Sequence, residues 1–268
     1  MAVVCGASKG IGRATAEEII RLGGSVCLVA RTVGPLQQAA SELAELADQE
    51  AQKVIAVAAD CTDRQQFQEQ MSDFIETHGV PQWLLNCAGF ARPHYMDELS
   101  ENDFRGSMEG NYFAQLIPIL VLLPHFLSAG YGRIGNVSSM MGYFGIAGYA
   151  AYAPSKFAIV GLSEVLHNEL SPNNIRVSVL YPPDTDTPGF AEENLRKPPE
   201  CAAMSKAAGC LSAERVAREF VAGVRARRFA ILPGRSRLVW HLHRLFPGTL
   251  RWLLRRQYLR ARRSGGRG

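Results

Sequence analysis

The chain has no uninterrupted apolar run longer than residues 116–123, and Pro118 falls inside that one. A helix that crosses a bilayer needs roughly 20 predominantly apolar residues. No conventional membrane span is therefore predicted, and 116–123 reads as a buried helix beside the fourth strand rather than a membrane hairpin. No charged start followed by an apolar stretch precedes the first glycine loop, so no signal peptide is expected. Cysteines stand at 5, 27, 61, 87, 201 and 210 with no C-x-x-C pair, and the histidines share no ligand spacing. Free thiols in a reducing compartment, and no metal site, are expected. There is no internal repeat.

Acidic residues and lysine are missing from 225–268, which holds 13 arginines. The whole chain has 29 basic and 25 acidic side chains, so the first 224 residues carry 16 against 25, a net −9. The formal charge of +4 conceals an acidic body that ends in a basic tail.

With 47% hydrophobic and 20% charged residues among 268, the composition is globular and excludes a disordered or collagen-like chain. Short runs at Ala2–Cys5, 25–30, 53–59, Trp83–Asn86, Gly132–Val137, 176–181 and 229–232, most of them apolar on both faces, predict strands buried between two helical layers. Stretches with apolar residues at helical spacing, such as 12–22, 36–47, 64–77 and 155–170, separate them. The alternation predicts an α/β fold, a doubly wound parallel sheet of about seven strands in a single domain, 1–234. The Pro/Gly-rich stretch 182–199 is predicted to be a long loop that serves as a lid or binding segment. A basic amphipathic extension, 235–268, follows, with Pro247 and Gly248 dividing two short helices.

The first strand runs into Gly6-Ala7-Ser8-Lys9-Gly10-Ile11-Gly12 and then a helix. Glycines there let the backbone approach a pyrophosphate at a helix N-terminus. The second strand ends at Arg31, where an acid would suit a ribose 2′-OH and an arginine suits a 2′-phosphate. Lys9 adds a second positive charge, and the pair favours NADPH over NADH. Tyr152 and Lys156 share a helix face at i, i+4. A neighbouring ammonium is expected to lower the phenol pKa toward the working range. Ser139 lies thirteen residues upstream at a strand end, and Asn111 and Asn86-Cys87-Ala88-Gly89 follow the fourth strand.

On these residues, 1–232 resembles the classical short-chain dehydrogenase/reductase family. The resemblance implies a Rossmann-like fold and a catalytic set of Asn111, Ser139, Tyr152 and Lys156. It implies cofactor contacts from Gly6, Ser8, Lys9, Gly10, Ile11, Gly12, Arg31, Asp60, Asn86, Tyr152, Lys156, Pro182 and Thr187. Asp60 is implied to touch adenine, Thr187 the nicotinamide carboxamide, and Asn111 to support Lys156 through a water. The segment from Tyr181 to Asn194 is similar to the corresponding loop of 3-ketodihydrosphingosine reductases, as are the run from Ser155 to Ile159 and the Ala30-Arg31 pair. That similarity implies NADPH-dependent reduction of 3-ketosphinganine to sphinganine, a long-chain lipid ketone as substrate, and a place on the cytosolic face of a membrane (endoplasmic reticulum in a eukaryote, inner membrane in a bacterium). Cys5 replaces the family Thr, Pro154 the family Ala and Pro183 the family Gly, and Pro35 stands where animal relatives carry Lys. Two other functions stay open: the same chemistry on another lipophilic ketone or secondary alcohol, such as a steroid or acyl intermediate, and a nucleotide-binding scaffold without turnover.

The tail interleaves Leu238, Trp240, Leu245, Trp252 and Leu254 with arginines. That pattern suits the surface of an anionic membrane. A cover over the substrate entrance or a contact in a homo-oligomer is the second reading. Nucleic acid is not an expected partner, since no reading motif accompanies the charge.

Overall fold

The computed structural model describes residues 1–48 and 50–263; residues 264–268, the end of the basic tail, lie outside the described residues. Seven parallel strands form the central sheet: β1 (Ala2–Cys5), β2 (Val26–Ala30), β3 (Val54–Ala58), β4 (Trp83–Asn86), β5 (Gly132–Val137), β6 (Ile175–Leu180) and, numbered in chain order, β9 (Ala230–Ile231). Their order is β3-β2-β1-β4-β5-β6-β9. This is the predicted doubly wound sheet, with each strand end within two residues of its expected place.

Side chains alternate between the faces of each strand. Val3 and Cys5 of β1 join one core with Phe67, Met71, Ile119, Phe126 and Leu166. Ala2 and Val4 join the other with Ile20, Leu36, Leu43, Phe220 and Val224. The first face is covered by α3 (Arg64–His78), α5 (Ala114–Ala129) and α6 (Tyr152–Leu170), and the second by α1 (Gly10–Arg21), α2 (Val33–Ala44) and α9 (Ala213–Arg225). The carboxylate of Asp63 caps α3 by accepting from the Gln66 N–H at 3.0 Å.

Three expectations are corrected. First, α4 (Glu101–Met108), a π turn at Glu109–Phe113 and α5 run on as one helix, Glu101–Ala129, long and apolar enough to cross a membrane by length and composition. Pro118 and Pro124 lie inside α5 without ending it. Its buried residues, among them Pro118, Ile119, Val121, Leu122 and Phe126, pack beside β4 and β5, so 116–123 does occupy the core layer.

Second, 182–199 is not a plain loop. It holds β7 (Thr185–Asp186), which pairs in parallel with β8 (Leu211–Ser212), and α7 (Pro188–Asn194); α8 (Pro199–Ala208) follows. Proline breaks a helix interior but is preorganised for the first helical position. Pro188 takes that place, and Thr187 caps α7 by accepting from the Phe190 N–H at 3.1 Å.

Third, the tail lies against the body as α10 (Ser236–Leu245) and a second, 17-residue helix, α11 (Pro247–Arg263), which is not short. Val239 and Trp240 pack on Tyr143, Val179 and Tyr181, and α11 rests on α8 with Leu250 buried.

Candidate active site

In an open parallel sheet, a crevice forms at the carboxyl ends of the strands where the winding reverses, here between β1 and β4. Gly6 and Gly10 take φ of +75° and +60°, values that favour glycine. A Cβ on Gly6 would stand 2.7 Å from the Ala88 nitrogen, and one on Gly12 2.2 Å from the Gly6 oxygen. Lys9 is the N-cap of α1, and its side chain makes no capping hydrogen bond. The first N–H groups of α1 thus face the glycine turn without a side-chain acceptor, an arrangement that fits a pyrophosphate. Ser8 and Lys9 flank this turn, and Lys9 Nζ lies 3.3 Å from Glu192 of α7.

Arg31 follows β2, its side chain 77% exposed, with Nη1 3.9 Å from Asp60 Oδ2. Asp60 Oδ1 accepts from the Thr62 N–H at 2.9 Å and the Thr62 hydroxyl at 2.8 Å. Asn86 is fully buried in β4; it donates to Asn136 Oδ1 at 2.9 Å, and Asn136 donates to the Ser163 hydroxyl at 2.9 Å. This places Asn86 among sheet residues, in a buried polar chain under the crevice.

Asn111 falls in the π turn, a feature with no periodic signal in sequence. Its Oδ1 accepts from the Phe90 N–H at 2.9 Å, and its Nδ2 donates to the Phe90 and Ser107 carbonyls, each at 3.0 Å. A Cβ on Gly89 would sit 2.6 Å from Asn111 Oδ1 and 3.1 Å from Lys156 Nζ. The bare Gly89 backbone therefore lets Asn111 and Lys156 converge.

Helix α6 begins at Tyr152, which places Pro154 in its first turn. The first four N–H groups of a helix have no intrahelical partner, so this proline removes no hydrogen bond. Tyr152 and Lys156 keep one helix face, with Nζ 5.5 Å from the centre of the phenol ring. Lys156 Nζ donates to the Val137 carbonyl at 3.1 Å, and the Lys156 carbonyl accepts from the Ser138 hydroxyl at 2.9 Å. Ser139 follows β5; its hydroxyl accepts from the Met141 N–H at 3.1 Å and lies near enough to the Tyr152 phenol to pull its pKa down.

Burial sets the electrostatics. Desolvation pushes the Lys156 ammonium down to about 8, against a small opposing pull from Cys87. It also pushes the Tyr152 phenol up, with Glu193 and Asp184 adding to the rise and the Ser139 hydroxyl opposing it. The expectation that the Tyr152 pKa is lowered is thus corrected: burial and nearby carboxylates raise it, and the phenol holds its proton.

Tyr152, Lys156, Ser139, Ile11, Pro182 and Thr187 share a cavity of about 520 Å³. Thr187 stands against the glycine loop, where a Cβ on Gly10 would be 3.3 Å from its methyl group. The Pro182 carbonyl accepts from the Met140 N–H at 3.1 Å. The cavity also contains groups that the sequence did not single out. Tyr149 donates to Glu193 Oε1 at 2.5 Å, and Lys197 Nζ lies 3.0 Å from the same oxygen. Only the i, i+4 spacing of Glu193 and Lys197 could have hinted at this cluster. Leu250, Leu253 and Leu254 of α11 line the cavity as well, so the tail forms one wall of it.

A model of the short chain dehydrogenase family matches residues 1–198. The chain is 40% identical over 217 residues to 3-dehydrosphinganine reductase of Danio rerio, covering 81% of this chain and 65% of that one. It is 37% identical over 220 residues to 3-ketodihydrosphingosine reductase of Bos taurus, covering 82% and 66%. The chain thus spans a little under two thirds of the length of these curated relatives. A short chain dehydrogenase/reductase from Burkholderia phymatum, solved in complex with NAD, superposes with a TM-score of 0.78 at 26% identity, covering 89% of this chain and 90% of that one.

Proposed function

Since the chain belongs to the short chain dehydrogenase family, we propose that it is an oxidoreductase that reduces the C3 ketone of 3-ketosphinganine to sphinganine with NADPH. The observation that carries this is the convergence of Ser139, Tyr152 and Lys156 in a largely apolar cavity walled by α11. The similarity of the Tyr181-to-Asn194 segment to sphingoid-ketone reductases supports the substrate. A cavity of about 520 Å³ lies in the range of small-molecule sites.

The glycine turn and the start of α1 hold the pyrophosphate, Arg31 and Lys9 attract the 2′-phosphate, and Asp60 sits beside Arg31 at the adenosine end. Asn86 acts from beneath, keeping the end of β4 in place. Pro182 and Thr187 border the nicotinamide. NADPH, when bound, supplies the hydride. Tyr152, held protonated by its burial, donates its proton to the oxygen of the reacting carbonyl. The Ser139 hydroxyl donates a hydrogen bond to that oxygen and stabilises the charge that develops there. Lys156 holds the nicotinamide ribose, and Asn111, facing Lys156 across Gly89, keeps it oriented. Because Pro154 lies in the first turn of α6, the Tyr152–Lys156 pair is in working register, which favours an active enzyme over a scaffold.

Residues 1–234 form the catalytic body, and the described part of the tail, 235–263, the cover. The cover has two faces. Leu250, Leu253 and Leu254 point into the cavity, while Leu245, Phe246 and Trp252 are exposed among arginines. The outer face meets an anionic membrane surface, from which a long-chain ketone partitions into the site. The test is turnover of 3-ketosphinganine by the purified protein with NADPH and with NADH. Reduction with NADPH preferred is expected; no reduction with either, or equal rates on a steroid ketone, overturns the assignment.

A further inference from the structure

We infer that Glu193 recognises the ammonium group of the substrate, so that the cavity selects a 2-amino-3-ketone over an amine-free ketone of the same length. This rests on the proposed ketone reduction and adds to it the group that reads the amine.

Glu193 lies in the last turn of α7 and lines the cavity, with its side chain 14% exposed. Its Oε1 takes both the Tyr149 hydroxyl, at 2.5 Å, and Lys197 Nζ, at 3.0 Å. Its Oε2 has no protein partner among the described residues. The Tyr149 ring stands 6.1 Å, centre to centre, from the ring of Tyr152. One aromatic ring thus separates the carboxylate from the proton donor. The field of Glu193 reaches that donor, since after burial it is the largest influence raising the Tyr152 phenol.

Besides Glu193, the cavity wall carries Asp184, Lys156 and Arg235. Lys197, 1% exposed in its side chain, also donates to the Ser205 hydroxyl at 3.2 Å, and that hydroxyl donates to Asp184. Lys197 thus pairs directly with Glu193 and reaches Asp184 only through the Ser205 hydroxyl. Arg235, also on the cavity wall, is exposed and donates to the Ala208 carbonyl at 3.5 Å. A partly buried carboxylate with an open oxygen favours a cationic ligand, and truncating one partner of such a pair is costly. Glu193 and the Tyr152 proton donor line the same cavity, so a group next to the reacting carbonyl shares it with the carboxylate.

The test compares kcat/KM for 3-ketosphinganine and for the matched ketone with hydrogen in place of the amine. A charge-assisted hydrogen bond is worth about 1.5–3 kcal/mol, so the wild type should prefer the amino ketone about 10- to 100-fold. In Glu193→Gln the ratio should collapse to within a few-fold, chiefly through KM. Because that change strips buried Lys197 of its counter-ion, the paired variant Glu193→Gln/Lys197→Met, which removes both charges, is measured beside it. A wild type without preference, or a folded variant that keeps it, overturns the assignment of Glu193 alone. A wild type that reduces neither ketone overturns the proposed function as well.

Discussion

Lys156 and Tyr152 sit one turn apart on α6, yet the ammonium donates to the Val137 carbonyl at 3.1 Å and stands 5.5 Å from the centre of the phenol ring. The pair does not act by moving a proton between its members. Burial pushes the two groups in opposite directions, the phenol toward keeping its proton and the ammonium toward losing its own. In the proposed reducing direction that division is useful: the donor is loaded at neutral pH, and Lys156 is left to serve the ribose, the role proposed for it.

Tyr152→Phe should therefore remove proton donation and little else. The ring still packs, and the Ser139 hydroxyl keeps its bond from the Met141 N–H. A general acid contributes typically about 10²–10⁴-fold, so kcat should fall by that much while NADPH binding, read by fluorescence titration, stays within a few-fold. A variant with near-wild-type turnover would show that the proton comes from elsewhere.

The pH profile should carry the signature of Lys156 rather than Tyr152. The ammonium is pushed down to about 8, so it is charged below that pH and neutral above it. In the proposed mechanism the charged form is the one that would hold the ribose hydroxyls by donating to them. Consequently kcat/KM for NADPH, which reports the free protein, should decline as pH rises through about 8. A profile flat to pH 10 would mean that Lys156 keeps its charge or does not touch the cofactor.

Arg31→Asp should move preference from NADPH toward NADH. Arg31 is open to solvent and lies 3.9 Å from Asp60, so it is free to turn toward a 2′-phosphate. An aspartate would repel that phosphate and accept from a 2′-OH instead. The ratio of kcat/KM values for the two cofactors should change by at least about 10-fold, the scale of one charge-assisted hydrogen bond. An unchanged ratio would place phosphate recognition on Lys9.

Much of this architecture was legible because it is local. Strands buried on both faces need apolar residues at every position, and Ala2–Cys5 and Val26–Ala30 have them. The glycine turn was legible because Gly6 and Gly12 have neighbours too close for a side chain. What stayed hidden depends on context. Pro118 and Pro124 signal a break, but packing against the sheet keeps Glu101–Ala129 helical. Proline-rich 182–199 looked like a loop because Pro188 can equally start a helix, and only tertiary pairing of β7 with β8 decides which. Tyr149 and Glu193 meet across 44 residues of sequence, a distance at which spacing carries no signal. The amphipathic pattern of the tail was visible, but not that one of its faces would be used inward.

That two-faced tail sets the terms of the last prediction. Removing 235–268 would strip Val239 and Trp240 from the Tyr143–Tyr181 cluster and Leu250 from its buried place, so a truncated protein would fail for reasons unrelated to membranes. The outer face can be altered alone. Leu245, Phe246 and Trp252 are exposed, and Arg244 and Arg256 stack on Trp240 and Trp252 at 4.7 Å and 5.2 Å. Basic residues near an anionic leaflet contribute about 1 kcal/mol each, screened by salt, and the apolar side chains add insertion. The full chain should float with anionic vesicles at low salt and less so at high salt. Leu245→Glu/Phe246→Glu/Trp252→Glu should abolish flotation, while reduction of a short-chain, water-soluble ketone and NADPH binding stay near wild type, because Leu250, Leu253 and Leu254 still close the cavity. Equal flotation of both proteins, or none by the wild type, would leave α11 as a cavity wall alone.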